Sequence, residues 1–193
     1  MADTAGSPSA AWRHRDARAG FEVVFFHARG DGRRAEGSTS AVEDGEPWVV
    51  SYEIVLAADW TTRRAVVASR SRHGRREIRL EADGAGRWLL NGTAAPELDG
   101  CLDVDLESSA LTNAFPVRRL RLAAGAEADA PAAYVRALDL RVERLEQRYV
   151  RLEDEGTGQR YRYAAPAFDF ECVLTYGTDG LVADYPGIAV RVA

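Results

Sequence analysis

The chain has 193 residues, of which 46% are hydrophobic and 28% charged, so it is long enough to bury a core and its composition excludes global disorder. The net charge is −5, and all 25 basic residues are Arg scattered among 30 acids, which excludes the basic stripe of a nucleic-acid-binding protein. The sequence has no apolar run of about 18 residues and therefore predicts no transmembrane segment.

Residues 1–11 are small and polar, and we expect them to form a disordered tail ahead of a single domain at residues 12–193. They lack the apolar core of a secretion signal. The two cysteines, Cys101 and Cys172, are too few for a disulfide framework. We therefore expect a cytoplasmic protein.

Turn signals divide the rest of the chain into short segments. Dipeptides such as Asp31-Gly32, Asn91-Gly92 and Asp179-Gly180 place glycine where a tight hairpin turn needs a positive φ. The segments between them are aromatic and β-branched or alternate in polarity, as strands do, in chain order at residues 21–26, 48–56, 77–81, 101–106, 168–176, 181–185 and 188–192. This pattern predicts an all-β, mainly antiparallel sandwich, barrel or roll.

Residues 132–152 fit two interpretations. The apolar residues Leu138, Val142, Leu145, Tyr149 and Leu152 follow the spacing of a helical stripe, and Pro is tolerated in a first helical turn, so the pattern favours a helix over residues 132–152. The start of the same stretch, residues 138–142, also alternates as a strand does.

Metal, nucleotide and nucleophile motifs are missing from the sequence. The three histidines, His14, His27 and His73, have no spacing that predicts a metal site. Ser108-Ser109 lacks the glycines of a nucleophile elbow, and residues 83–86 lack the Lys and Ser or Thr of a phosphate-binding loop. We therefore expect no cofactor.

Asp103 and Asp105 are the most notable carboxylates. They lie two residues apart on a predicted strand, so both side chains project to one face. Such a pair could bind a cation or serve as the acid and base of a glycosidase. A polar sheet face, or an ion pair with Arg119, is the more common explanation of this pattern.

The segment Leu111–Pro116 predicts a specific turn in which Thr112 and Asn113 cap the backbone. A structural corner is favoured over a loop that contacts a ligand, although loops often carry function. The tryptophans Trp60 and Trp88 lie near predicted turns. Core packing is their more common role, and stacking on a sugar or acyl chain is the alternative.

A series of segments in a fixed order resembles the bacterial putative glycolipid-binding domain family. The segments are residues 59–63, 86–88, 98–106, 112–120, 147–149, 161–163 and 180–187. The resemblance covers nearly the whole chain, from about Trp12 to Val192, although Leu111 and Ala114 stand where the family has Pro and Thr.

The resemblance implies a curved β-roll or half-open barrel of about 10–13 strands with at most one or two short helices. It also implies strand within Arg141–Arg151, with Gln147 and Tyr149 on one face. Any helix would then be short and lie near residues 132–136.

The same resemblance implies that a lipid-like or glycolipid-like amphiphile binds in a groove of the roll. Arginines would contact the head group and aromatic rings would stack on the ligand. The candidate ligand-binding residues are Trp60, Arg63, Trp88, Asp103, Asp105, Asn113, Arg118, Arg119, Gln147 and Tyr149.

Two alternatives remain open at this point. One is a protein-interaction scaffold without a small ligand, which an exposed apolar patch would favour. The other is a hydrolase that uses Asp103 and Asp105, which predicts a cleft holding both carboxylates with at least one raised pKa. The sequence does not determine the oligomeric state.

Overall fold

The structure is a computed structural model that describes residues 8–156 and 158–193. Seventeen strands lie within these residues, with the bounds β1 Ser9–His14, β2 Ala19–Arg29, β3 Gly32–Glu43, β4 Glu46–Leu56, β5 Thr62–Ser71, β6 Gly74–Ala82, β7 Trp88–Leu90, β8 Thr93–Ala94, β9 Asp103–Leu106, β10 Glu127–Asp129, β11 Ala132–Val135, β12 Val142–Leu145, β13 Arg148–Arg151, β14 Gln159–Ala165, β15 Phe170–Tyr176, β16 Val182–Tyr185 and β17 Ala189–Arg191. Helix α1 is Ala114–Leu120, and single 3-10 turns occupy Pro96–Leu98, Leu111–Asn113 and Pro166–Phe168.

Fourteen of the strands form one antiparallel sheet in the order β10-β13-β14-β15-β16-β17-β1-β2-β3-β4-β5-β6-β7-β8. Strands β10 and β8 lie at the two edges of this sheet and do not pair with each other, so the curved sheet does not close into a barrel. The other three strands form a small sheet, β12-β11-β9, in which β9 and β11 are parallel. The predicted half-open, mainly antiparallel architecture is confirmed, with more strands than expected because several are only two to four residues long.

The long strands bury one face because their side chains alternate. In β4, Trp48, Val50, Tyr52, Ile54 and Leu56 are all buried, whereas the residues between them are exposed or half-buried. This period of two puts an apolar row on the inner face of the sheet.

The inner face is covered by residues 98–120, which include β9 and α1. All four residues of β9 are buried, and so are Ala114, Phe115, Pro116 and Val117 of α1. Polar side chains of the large sheet bind the backbone of this cover: the Thr39 hydroxyl donates to the carbonyl oxygen of Ser108 at 2.7 Å, and the Thr62 hydroxyl accepts from the N–H of Val104 at 3.1 Å.

Residues 132–152 contain strands β11, β12 and β13, so the helix favoured by the apolar spacing is wrong. The strand implied within Arg141–Arg151 is confirmed, whereas the short helix near residues 132–136 is not found. The apolar spacing misled because Leu138 and Leu140 belong to a turn, where Leu140 has a φ of 56° and Leu138 is exposed.

The predicted tail, residues 1–11, falls partly outside the described residues, which start at Pro8. Residues 9–11 lie in β1 rather than in a tail, because they pair with β2 through Ser9↔Phe25, Ala10↔Val24 and Ala11↔Val23. Among the described residues, no helix has the length and apolar character needed to cross a membrane. Cys101 is buried, Cys172 is half-buried, and both are free thiols.

Candidate functional site

Asp103 and Asp105 of β9 are both buried and do not lie on an open polar face. Asp103 forms an ion pair with Arg119, whose Nε donates to its Oδ1 at 3.3 Å. Burial raises the pKa of Asp103, and the hydrogen bond and charge of Arg119 oppose that rise. The expected pairing with Arg119 is therefore present, and it gives this carboxylate a structural partner.

Asp105 is the centre of a buried hydrogen-bond network. Its Oδ1 accepts from the Thr112 hydroxyl at 2.6 Å, and its Oδ2 accepts from Nε2 of Gln147. The same Gln147 nitrogen lies 3.0 Å from the hydroxyl oxygen of Tyr163. Burial raises the pKa of Asp105 to about 6, although both hydrogen bonds favour the charged form.

Asn113, next to Thr112 of the Asp105 network, forms hydrogen bonds with tyrosines of the large sheet. Its amide nitrogen donates to the Tyr149 hydroxyl at 2.9 Å, and its backbone carbonyl accepts from the Tyr176 hydroxyl at 3.0 Å. Tyr149 is fully buried, and its ring centroid lies 5.1 Å from that of Tyr163. Gln147 and Tyr149 are therefore both buried in this interior, and they support its polar groups from the sheet side.

Next to this network lies a cavity of about 240 Å³, which we call the aromatic cavity. Five aromatic rings contribute to its wall: Tyr134, Phe168, Tyr163, Phe170 and Tyr185. The rings contact one another, with centroid separations of 5.4 Å for Tyr134 and Phe168 and 6.0 Å for Phe170 and Tyr185. Aromatic rings in contact form a preorganised apolar surface against which a sugar ring or an acyl segment can pack.

Three charged side chains of the aromatic cavity already have partners. The guanidinium of Arg136 binds Glu107 at 3.2 Å and Glu143 at 2.8 Å, and Glu107 also accepts from the N–H of Ala137 at 2.7 Å. Asp105 reaches the cavity with both oxygens engaged by Thr112 and Gln147. These groups make part of the wall polar, but each of them already interacts with other groups of the protein.

Arg18 differs from the other charged residues of the cavity wall. The residue is only 8% exposed, and its Nε and Nη1 atoms are buried without a hydrogen-bond partner among the described residues. Its guanidinium lies 5.3 Å from the centre of the Trp48 ring, which supplies a cation–π contact but no acceptor. Burial and the charge of Arg18 lower the pKa of the neighbouring His14 to about 4, so His14 is neutral at pH 7. Arg18 is thus a buried cation that lines the aromatic cavity, and two of its nitrogen atoms have no hydrogen-bond acceptor in the described part of the chain.

The predicted ligand-binding residues do not form one site. Asp105 and Asn113 line the aromatic cavity, whereas Trp60 and Arg118 line a second cavity of about 420 Å³. Trp88 lines neither of these two cavities, because it is buried in the core and its indole nitrogen donates to the carbonyl of Cys101 at 2.8 Å. The guanidinium of Arg63 binds the carbonyl oxygen of Asp83 in the turn after β6.

Sequence reasoning missed Arg18 and the five rings of the aromatic cavity. Arg18 precedes β2, Tyr134 is in β11, and the other rings come from β14, β15, β16 and a 3-10 turn, so no local spacing joins them. One signal was present: aromatic residues are concentrated between Tyr161 and Tyr185. The described residues contain no group of three or more His, Cys, Asp or Glu side chains that could hold a metal ion.

Comparison with solved structures finds similar folds. A DUF1089 family protein from Pseudomonas aeruginosa is 36% identical, with a TM-score of 0.79, and the match covers 100% of this chain and 97% of that chain. A β-barrel-like protein of the domain of unknown function DUF1849 from Brucella abortus is 11% identical with a TM-score of 0.55, over 96% of this chain and 94% of that chain, and it shows the fold alone. No curated protein gives a significant match.

The sequence model of one family, described as "Putative glycolipid-binding", matches residues 9–191. The match includes every residue of the aromatic cavity described above, from Arg18 to Ile188. The chain therefore belongs to the family described as "Putative glycolipid-binding".

Proposed function

We propose that the protein binds a lipid-like or glycolipid-like amphiphile, and that one part of this ligand enters the aromatic cavity. The observation that carries the proposal is Arg18, a buried guanidinium with free donors on a wall that also carries five aromatic rings. Retaining an unpaired buried charge costs stability, and an acidic or hydroxyl-bearing group would supply the missing acceptors. The family description supports a binding role.

The size of the aromatic cavity limits what enters it. A volume of about 240 Å³ is smaller than the roughly 300–1,000 Å³ of pockets that enclose drug-sized ligands. It accommodates a single moiety, such as one sugar ring or a short acyl segment, while the remainder of the amphiphile lies outside. Phe168, which is 40% exposed at the wall, provides apolar surface for the emerging part.

A hydrolase that uses Asp103 and Asp105 has less support from the geometry. Asp105 has the raised pKa that this alternative predicts, but both of its oxygens accept hydrogen bonds from side chains of the protein. Asp103 is paired with Arg119 and does not line the aromatic cavity. We therefore propose a structural role for both carboxylates.

Native mass spectrometry after incubation with a bacterial lipid extract tests the proposal. We expect a stoichiometric adduct on the wild-type protein and on Arg13→Met, which removes an exposed arginine of β1. We expect Arg18→Met to lose at least nine-tenths of the adduct, because Met retains the apolar stem but has no donors. Equal adducts on all three proteins, or no adduct on any of them, would contradict the proposed function.

A further inference from the structure

The second cavity, of about 420 Å³, lies at the other end of strand β2 from the aromatic cavity. Arg18 immediately precedes β2, whereas Phe26, His27 and Ala28 near its end line the second cavity. His27 follows Arg18 by nine residue steps of extended strand, which corresponds to about 30 Å. The two cavities therefore lie near opposite ends of β2, and they share no lining residue among those that the structure describes.

Two guanidinium groups contact a single indole ring in the second cavity. Cζ of Arg33 lies 3.9 Å from the centre of the Trp60 ring, and Cζ of Arg118 lies 4.2 Å from it. Trp60 itself is 6% exposed and packs against Phe115 with a centroid separation of 6.3 Å. We call these three residues the Arg33–Trp60–Arg118 cluster.

Local backbone geometry fixes this cluster in place. Trp60 has a φ of 74°, a conformation that a bulky side chain rarely adopts and that persists only where surrounding contacts enforce it. The N–H of Trp60 donates to the carbonyl of Ala57 at 3.0 Å. On its other side, the N–H of Thr61 donates to the carboxylate of Asp59 at 3.0 Å. Gly180 has a φ of 67°, which favours glycine, and a Cβ atom there would lie 3.0 Å from Nε of Arg118 and press on this guanidinium.

The positive charges of the cluster have no carboxylate within ion-pair distance in the part of the chain that the structure describes. Neither Arg33 nor Arg118 forms an ion pair there, and Nε of Arg118 is buried without a hydrogen-bond acceptor. Asp179 lines the same cavity, but its carboxylate binds Arg191 at 2.5 Å and accepts from the N–H of Leu181 at 3.2 Å. Burial lowers the pKa of both arginines, and the charge of Arg33 lowers that of Arg118 further, whereas the charge of Asp179 opposes this decrease in the pKa of Arg118.

We propose that the Arg33–Trp60–Arg118 cluster binds the phosphate group of an organic phosphate whose apolar part packs in the second cavity. A planar guanidinium presents paired donors that match phosphate oxygens, and a bound dianion would offset the repulsion between the two arginines. Phe26, Ala28 and Leu181 supply the apolar surface for the rest of the ligand. The phosphate could belong to a lipid head group or to a soluble metabolite, because the recognising chemistry is the same.

Isothermal titration calorimetry with hexyl phosphate, with inorganic phosphate as the second probe, tests the cluster. We expect hexyl phosphate to saturate one site on the wild-type protein and to bind at least tenfold more weakly to Arg33→Met and to Arg118→Met. Arg29→Met is the matched control, because Arg29 is exposed near the same hairpin and does not line the second cavity. Inorganic phosphate should bind more weakly than hexyl phosphate, since it lacks the apolar part.

Co-sedimentation with vesicles identifies the source of the phosphate. Binding to phosphatidic acid vesicles over phosphatidylcholine vesicles, lost in Arg33→Met, would assign a lipid head group, whereas binding of hexyl phosphate without vesicle binding would assign a soluble phosphate. Failure of both probes, or binding that Arg33→Met and Arg118→Met leave unchanged, would overturn the proposal. Loss of hexyl phosphate binding in Arg18→Met alone would place the anion in the aromatic cavity and would also overturn it. Should Arg118→Met not fold, Arg33→Met alone decides the result.

Discussion

Arg18 holds a positive charge where two of its nitrogens have no acceptor in the described chain. Folding therefore removes these donors from water without replacing their hydrogen bonds, which costs about 1–3 kcal/mol. We predict that Arg18→Met raises the free energy of unfolding by about that amount while amphiphile binding is lost. Urea unfolding of the ligand-free proteins measures this difference.

Arg136→Met is the comparison for Arg18→Met on the same cavity wall. It removes the partner of Glu107 and Glu143, so we expect it to destabilise the fold. If Arg18→Met proved as destabilising as Arg136→Met, Arg18 would have to be a structural residue, and the interpretation of its free donors would be wrong.

Asp105 should give the stability of the protein a specific pH dependence. Its pKa is raised from 3.8 to about 6, so between these pH values the folded state binds more protons than the unfolded state. Stability contributed by the protonated carboxyl is present below pH 4 and is lost as the pH rises through about 6. For a buried group, this shift corresponds to roughly 3 kcal/mol.

The Asp105→Asn variant isolates this effect because an amide does not titrate. We predict that the stability difference, variant minus wild type, increases between pH 4 and pH 7 and then stays constant. Thermal unfolding at several pH values measures it. A difference that does not change with pH would show that Asp105 titrates in the folded state as it does in the unfolded chain.

At the scale of elements, Glu22 of β2 attaches the cover segment to the large sheet. Its carboxylate accepts from the Tyr52 hydroxyl at 2.7 Å, from the Ser109 hydroxyl and from the N–H of Ala110 at 2.7 Å. We predict that Glu22→Leu costs about 3–5 kcal/mol of stability, because three buried donors lose their acceptor. Hydrogen exchange should become faster in residues 108–113 before other parts of the core.

Glu22→Gln is the matched variant for this attachment. Its amide keeps one carbonyl acceptor, and the hydroxyls of Tyr52 and Ser109 can rotate to accept from its nitrogen. We expect a loss of about 1 kcal/mol and little change in the exchange of residues 108–113. A loss as large as that of Glu22→Leu would mean that the negative charge, and not hydrogen bonding, holds the cover in place.

Strands were the elements that the sequence predicted best, because alternation records which face of a sheet is buried. Residues 48–56 and 77–81, predicted as strands, lie in β4 and β6. Residues 111–116 were predicted to turn, and Leu111–Asn113 forms a 3-10 turn, but Ala114–Leu120 continues as a helix. Pro116 lies in the first turn of this helix, where proline is tolerated. The false helix over residues 132–152 arose because two short strands and a turn reproduced a helical spacing.

The candidate site was predictable only in part, for a physical reason. Asp105 and Asn113 were predicted because they lie in one short segment with distinctive polar residues. Both line the aromatic cavity, and their contact with a ligand stays a prediction. Arg18 and Tyr185 lie far apart in sequence and meet only through the strand order β16-β17-β1-β2. The sequence does not show which arginine will be buried without a partner, because burial depends on the tertiary structure.

At the scale of the whole molecule, an open sheet of fourteen strands with a cover leaves a cavity near each end of β2. Because about 30 Å of strand separates Arg18 from His27, the sites should act independently. We predict that the effects of Arg18→Met and Arg33→Met on stability add within about 0.5 kcal/mol in the double variant. A larger deviation in urea unfolding would show that the two cavities are coupled.

The measurement that tests the central claim most directly is photo-crosslinking with an amphiphile that carries a diazirine in its apolar part, followed by peptide mapping. Amphiphile binding at the aromatic cavity predicts crosslinks to peptides that contain Tyr134, residues 163–170 and Tyr185, and their loss in Arg18→Met. Crosslinks confined to the outer face of the large sheet, for example at the exposed Phe21 and Phe25, would contradict binding in that cavity.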